Sequence, residues 1–319
     1  MKGTLYILYI ILAVLIVMLI CVALTSCSFK GFSFGDLMPE YVDAHLYQSG
    51  GAALEGELAE GVERVVIDWV GGDVSVGIHD YDTIEFNEST ASGKVEEKYE
   101  LRWRLDEDTL RIHCYSSGLR IFRSIDKSLT LNLPYGLLEG LDIDSVSADM
   151  TLSGLELREL ELRTVSGGIV LNNLRVTDSA EVETVSGNVR CDFGDELPEL
   201  VIKSVSGDVQ VSAPRVADVS AESISGDQMF MLNDPPGKLK ASSVSGNVTI
   251  ALPDTADFDL TFKTLSGKLT SELSSKVEGG MHRFGSGAAK DGGEFVVSTT
   301  SGDLEIRDID SEGEETEKT

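Results

Sequence analysis

Positive charge is scarce in this sequence. Lysine and arginine together number 26 against 54 aspartates and glutamates, a formal charge of −28. So acidic a body is repelled by nucleic acid and by anionic lipid surfaces, which makes both poor partners for its soluble part; no nucleic-acid partner is expected. Histidine is rarer still, and His45, His79, His113 and His282 stand too far apart in the chain to form a His-Glu-x-x-His zinc pair. The phosphate-cradling Gly-x-x-x-x-Gly-Lys and the redox pair Cys-x-x-Cys are both missing. So are the Gly-Gly-x-Gly-x-Asp nonapeptide and the EF-hand loop, the usual ligand patterns for calcium. Carboxylates abound, but general acid–base work needs one pair with separated pKa values in a cleft, and nothing picks out that pair. No catalytic residue, cofactor or metal ligand is nominated.

What the chain has instead is one bend, repeated. It reads Thr164-Val165-Ser166-Gly167, Thr184-Val185-Ser186-Gly187, Ser204-Val205-Ser206-Gly207, Ser223-Ile224-Ser225-Gly226, Ser243-Val244-Ser245-Gly246 and Thr264-Leu265-Ser266-Gly267. A degenerate copy, Ser145-Val146-Ser147-Ala148, precedes these, and an outlier, Thr299-Thr300-Ser301-Gly302, follows. Successive bends are 19, 20, 20, 19, 20, 21 and then 35 residues apart. A fixed period near 20 is the mark of a solenoid, in which each repeat covers only its neighbours' apolar faces.

Within a repeat the apolar period is 2, so the units are strands. Leu160/Leu162, Ala180/Val182, Leu200/Ile202, Val219/Ala221, Leu239/Ala241 and Leu260/Phe262 alternate before the bends. Ile169/Leu171, Val189/Cys191, Val209/Val211 and Val248/Ile250 alternate after them. Pro198, Pro214, Pro235, Pro236 and Pro253 fall in the return loops, where no ladder donor is needed. The glycine of each bend is expected to serve a positive φ or a bulge without a Cβ clash. Equivalent strands about 4.8 Å apart would carry the evenly spaced bends over roughly 29 Å. They would place Ser166, Ser186, Ser206, Ser225, Ser245 and Ser266 in one column, beside Asn188, Asp208, Asp227 and Asn247 in another. Such columns can be read as a functional face, but their simplest role is to satisfy the backbone groups of the bends.

Residues 62–76 follow the same grammar and read as an opening coil, interrupted by an excursion over 77–140 that serves as a cap. Strand candidates in the cap are Ile84–Glu88, Tyr99–Leu105, Thr109–Cys114 and Ser128–Leu133. The regular repeats span 141–267, and 268–298 reads as a second insertion, a loop or hairpin. Residues 308–319 form an acidic, disordered tail. Cys114 and Cys191 fall in inward phase as buried fillers, and spacing does not show whether they pair.

At the other end, residues 4–24 carry no charge, long enough to cross a bilayer. Lys2 before the run favours an outward-facing body. Leu24-Thr25-Ser26-Cys27 resembles a lipobox, which makes Cys27 the candidate lipid attachment residue. Residues 1–27 are therefore either a membrane span or a lipoprotein signal, and 28–61 a spacer in which Phe29, Phe32 and Phe34 stand out. Both alternatives put the bulk of the chain outside the cell membrane.

The recurrent Val-Ser-Gly-Asp/Asn-Val bend, with Leu129-Thr130-Leu131-Asn132-Leu133-Pro134-Tyr135-Gly136, resembles the bacterial "putative adhesin" family of β-strand-repeat proteins with the DUF4097 domain. The resemblance covers residues 62–307. It implies a parallel β-solenoid in the cell envelope, and relatives beside envelope-stress systems imply a role in sensing or assembly there. Departures are Ala148 for the bend glycine, Lys268 and Gly168 for Asp or Asn, and Gln228 for an apolar residue. The expected architecture is all-β: a parallel β-solenoid of ~20-residue coils with an N-terminal β cap, preceded by one hydrophobic anchor helix. The expected function is non-enzymatic: a membrane-anchored envelope protein whose solenoid binds an envelope protein or cell-wall ligand. A self-assembling, bactofilin-like scaffold is the alternative, and a polysaccharide-active β-helix enzyme a third reading.

Overall fold

The computed structural model describes residues 44–91, 93, 95–115, 127–285 and 292–309. The apolar run 4–24, Cys27, the spacer up to residue 43 and residues 310–319 of the tail lie outside the described residues. Among the described residues no helix is long and apolar enough to cross a membrane.

Period-2 patterning folds as it reads. In Leu197–Ser204, Leu200 and Ile202 are buried while Val201 and Lys203 face outward. Leu160, Ala180, Leu200, Val219 and Leu239 lie on one line across successive parallel strands, so each coil's apolar row is sealed by the next. Across the interior, Ile169, Val189, Val209, Gln228 and Val248 form the matching line of a second wall. The two walls meet at the Ser-Gly bends and enclose a continuous core. Gln228, the polar member of that line, is buried, and its Nε2 donates to the Ser242 carbonyl at 2.8 Å.

Both ends depart from the order of the chain. The coil that turns at Gly302, made of Gly293–Thr299 and Leu304–Asp308, does not follow the Gly267 coil in space. Gly293–Thr299 pairs in parallel with Lys238–Ser243 on one side and Phe258–Thr264 on the other. Leu304–Asp308 likewise lies between Val248–Leu252 and Leu269–Ser271. The last coil in sequence is thus the penultimate one in the stack. Segment 268–298 is therefore not a single insertion. Its ends are coil strands, and its middle is the hairpin Ser275–Glu278 with Met281–Phe284, which pairs antiparallel with Phe258–Leu260.

The N-terminal end is laced in the same way. Arg64–His79 is one continuous strand, so the excursion follows the opening coil instead of interrupting it. Thr109–His113 and Lys127–Pro134 return to pair in parallel with its outer edge, while Leu137–Ser153 pairs with its inner edge. The excursion thus contributes an outermost coil of its own. Over it lie antiparallel strands: Thr83–Thr90 on Lys127–Pro134, and Arg102–Asp106 on Thr109–His113. Part of the expected spacer is cap as well, because Gln48–Ser49 pairs with Arg102–Asp106 and Ala52–Glu55 with Thr83–Thr90.

Candidate binding surface

The bend residues form a ladder of backbone-directed hydrogen bonds. At the Gly207 bend the Gly207 amide donates to Ser204 Oγ at 3.1 Å, and that hydroxyl donates to the Gly207 carbonyl at 2.9 Å. The Ser206 amide and its Oγ both donate to the Val185 carbonyl of the preceding coil, at 2.9 and 3.2 Å. The Asp208 amide donates to Asn188 Oδ1 at 3.0 Å. The Ser-to-carbonyl bond recurs at Ser166, Ser186, Ser225, Ser245 and Ser266.

The glycines are required for space, not for a positive φ; none of the bend glycines has one. A Cβ on Gly207 would lie 1.8 Å from the Gly187 carbonyl oxygen, and every bend glycine from Gly167 to Gly302 meets the same wall. Ala148 escapes because the strand beneath it passes through Gly72, at φ 88°, without a Ser-Gly bend. Its methyl is fully buried there.

Lys268 also finds its reason. The Asx ladder runs Asn188, Asp208, Asp227, Asn247, Asp303, and Asp303 Oδ1 takes the Lys268 amide at 2.7 Å. Lys268 stands on the outermost coil, where no further amide needs an acceptor among the described residues. The column therefore maintains the bends. Beside it the ridge Val165, Val185, Val205, Ile224 and Val244 continues through Thr300 to Leu265 on the outermost coil, which is 84% exposed, with nothing stacked over it among the described residues.

The two outward walls differ in kind. On the wall before the bends, His113, Asp68, Asp144, Arg163, Glu183, Lys203 and Glu222 share one register line. Cross-strand ion pairs run along it and its neighbours. Lys203 Nζ lies 2.5 Å from Glu183 and 2.7 Å from Glu181, and Arg64 3.0 Å from Asp142 and 2.7 Å from Glu159. Lys240 meets Glu222 at 3.1 Å. Each half-exposed pair adds little stability alone, but together they partner many of the acidic side chains of this wall. Asp144 is the most strained member: burial, with Asp68 and Asp142 nearby, pushes its pKa up to about 6 against the pull of Arg163.

The wall after the bends carries fewer charged side chains beyond the Asx ladder that borders it. Its first outward line reads Thr130, Ser75, Thr151, Val170, Arg190, Gln210, Met229, Thr249, Glu305, Thr270. The second includes Ser153, Asn172, Asp192, Ser212 and Met231. Four charged residues stand on these lines: Arg190 and Asp192, then Glu305, which follows Thr249, and Arg307, which follows Met231 and Ala251; the last two are paired at 2.8 Å. In a chain of charge −28, these rows of mostly hydroxyl, amide and methionine side chains contrast with the wall before the bends.

The cap is held by a buried ion pair that the bend motif does not announce. Lys127 is fully buried. Its Nζ contacts Glu88, the Cys114 carbonyl and the Tyr99 carbonyl, the last at 2.6 Å, and lies 5.1 Å from the Trp69 ring centroid. Glu88 also accepts the Leu101 amide at 3.0 Å, and Trp69 Nε1 donates to the Lys127 carbonyl at 2.9 Å. Cys114 and Cys191 are both buried and unbridged, and burial pushes their thiols up to about 11 and about 12. His113 is buried too, its Nδ1 2.7 Å from Asp68 Oδ2 and its ring edge-on to Tyr47.

A solved structure named as a "putative cell adhesion protein" from Clostridium sporogenes ATCC 15579 is 12% identical; the match covers 82% of this chain and 100% of that one, with a TM-score of 0.22. Another, a "putative adhesin" from Bacteroides fragilis NCTC 9343, is 13% identical over 82% of this chain and 96% of that one, with a TM-score of 0.44. Among curated proteins there is no match. Residues 62–307, from the first strand of the stack to its last, match the family model described as Toastrack DUF4097, and the chain belongs to that family.

Proposed function

We propose that this protein is a non-enzymatic binding module of the cell envelope, held at the membrane by residues 1–27, and that its ligand lies against the less charged wall, the one after the bends. The observation that carries the reading is the contrast between the walls. One has much of its charge paired along the sheet, whereas the other presents Thr151, Gln210, Met229, Met231 and Thr249, half-buried or exposed, with Arg190, Asp192, Glu305 and Arg307 the charged residues on their lines. Depletion of charge with methionine present is the composition of interface centres. A flat face of hydroxyls and amides also suits a neutral polymer such as a cell-wall glycan or an extended protein surface. The apolar run 4–24 and the cysteine after it support the anchored, outward-facing placement.

The test is site-specific photo-crosslinking on intact cells that produce the full chain. A photoreactive residue in place of Met229 is expected to give envelope adducts, and one in place of Glu199 on the charged wall to give none. Equal labelling from both positions, or none from either, contradicts the reading. The self-assembling alternative rests on the terminal coil, with Leu265 exposed and Leu269–Ser271 paired on one side alone among the described residues. Its signature in the same experiment is an adduct between two copies of the chain.

A further inference from the structure

In the regular coils the seam between the end of one coil and the start of the next is closed by a short return loop. At the N-terminal end it is not. After His79 the chain runs out to Thr83–Thr90 instead of turning back, and the following coil begins beyond Tyr135 and Gly136. The result is a cleft of about 440 Å³ that opens on the apolar interior. Ile78, Leu133 and Leu155 belong to its lining, below a rim formed by Glu60, Asp82, Glu156 and the ring of Tyr135. Glu156 is paired with Arg175 at 3.2 Å; Glu60 and Asp82 are exposed. The lining contains no lysine, arginine or histidine.

From this arrangement we infer a binding site, separate from the face of Gln210 and Met229, for a small amphiphile with one cationic head. The volume is that of small-molecule sites, which are typically apolar with a few convergent polar groups. The floor takes an alkyl or aromatic body by removing it from water. Two carboxylates at the mouth, Glu60 and Asp82, with no basic partner among the described residues, favour a positive head and oppose a negative one. Tyr135, 76% exposed, offers a ring face to the same cation.

The experiment is calorimetric titration of the full-length protein with octyltrimethylammonium below its micelle-forming concentration, beside octyl sulfate of the same chain length. One-to-one binding of the cation is expected, with the sulfate at least about tenfold weaker. The double variant Glu60→Gln/Asp82→Asn, both at exposed positions that leave the core untouched, is expected to lose about tenfold in affinity for the cation and to gain for the sulfate. Tyr135→Ala is expected to weaken the cation several-fold. Equal binding of cation and sulfate, an unchanged double variant, or no cation binding by the unsubstituted protein overturns the inference.

Discussion

Gly207→Ala is expected to lower the thermal midpoint by roughly 6–12 °C, the equivalent of about 3 kcal/mol in a domain of this size. The added Cβ meets the Gly187 carbonyl oxygen at 1.8 Å and its carbon at 2.5 Å, and both belong to backbone that a stacked coil holds fixed. Relief requires the coils to separate, which breaks the amide-to-carbonyl bond from Ser206 to Val185 and the side-chain bond from Asp208 to Asn188. Ser206→Ala, one residue away, is expected to cost only about 0.5–1 kcal/mol, because the Ser206 amide still occupies the same acceptor. Ala148→Gly is a further control: it removes one buried methyl, for about 1 kcal/mol. Thermal unfolding of the three variants side by side checks the order. Similar losses for Gly207→Ala and Ser206→Ala would show that the bend glycine is not there for space.

Lys127→Ala is expected to cost about 3–5 kcal/mol, since it strands the Glu88 carboxylate in an apolar setting without its counter-charge. It also frees two carbonyl acceptors, those of Tyr99 and Cys114, which lose their donor. Adding Glu88→Gln to Lys127→Ala should restore at least about 1 kcal/mol, because the neutral amide avoids the buried charge and its oxygen still accepts from Leu101. Denaturant unfolding of the two single variants and the double gives the coupling. Strictly additive losses would mean that the two charges do not depend on each other. The loss should fall first on the cap, because Lys127 begins the strand that lies on Arg64–His79, and Glu88 belongs to the layer above it.

Much of this fold is legible in the residues, and the parts that are not fail for identifiable reasons. Alternation and the bend period give strands, walls and parallel stacking, because each rests on contacts between neighbouring coils. Spatial order is another matter. The 35-residue interval before Gly302 counts chain, not distance, and does not show that the last coil is inserted one layer back. Lys268 carried the missing signal: a basic residue where the ladder needs an acceptor marks the end of the stack. The buried ion pair was equally readable. Lys127 lies in phase with Leu129, Leu131 and Leu133, and Glu88 in phase with Ile84 and Phe86, so period 2 turns both inward. The contrast between walls follows from which outward positions are charged, once the strands on each side of the bend are assigned to different faces. The cleft could not be read, because it comes from where the chain leaves the stack, not from any residue pattern.

Everything rests on the stack, with coils in parallel register and the C-terminal coil laced between two others. Paired cysteines test it most directly, because a disulfide needs Cα atoms within about 7 Å. Ser242 lies opposite Ser298, which lies opposite Lys263, so Ser242 and Lys263 are two strands, about 9–10 Å, apart. Mass spectrometric mapping of the oxidised full chain is expected to find the 242–298 bridge in Ser242→Cys/Ser298→Cys and no 242–263 bridge in Ser242→Cys/Lys263→Cys. A 242–263 bridge, with none between 242 and 298, would place the coils in simple chain order and contradict the account.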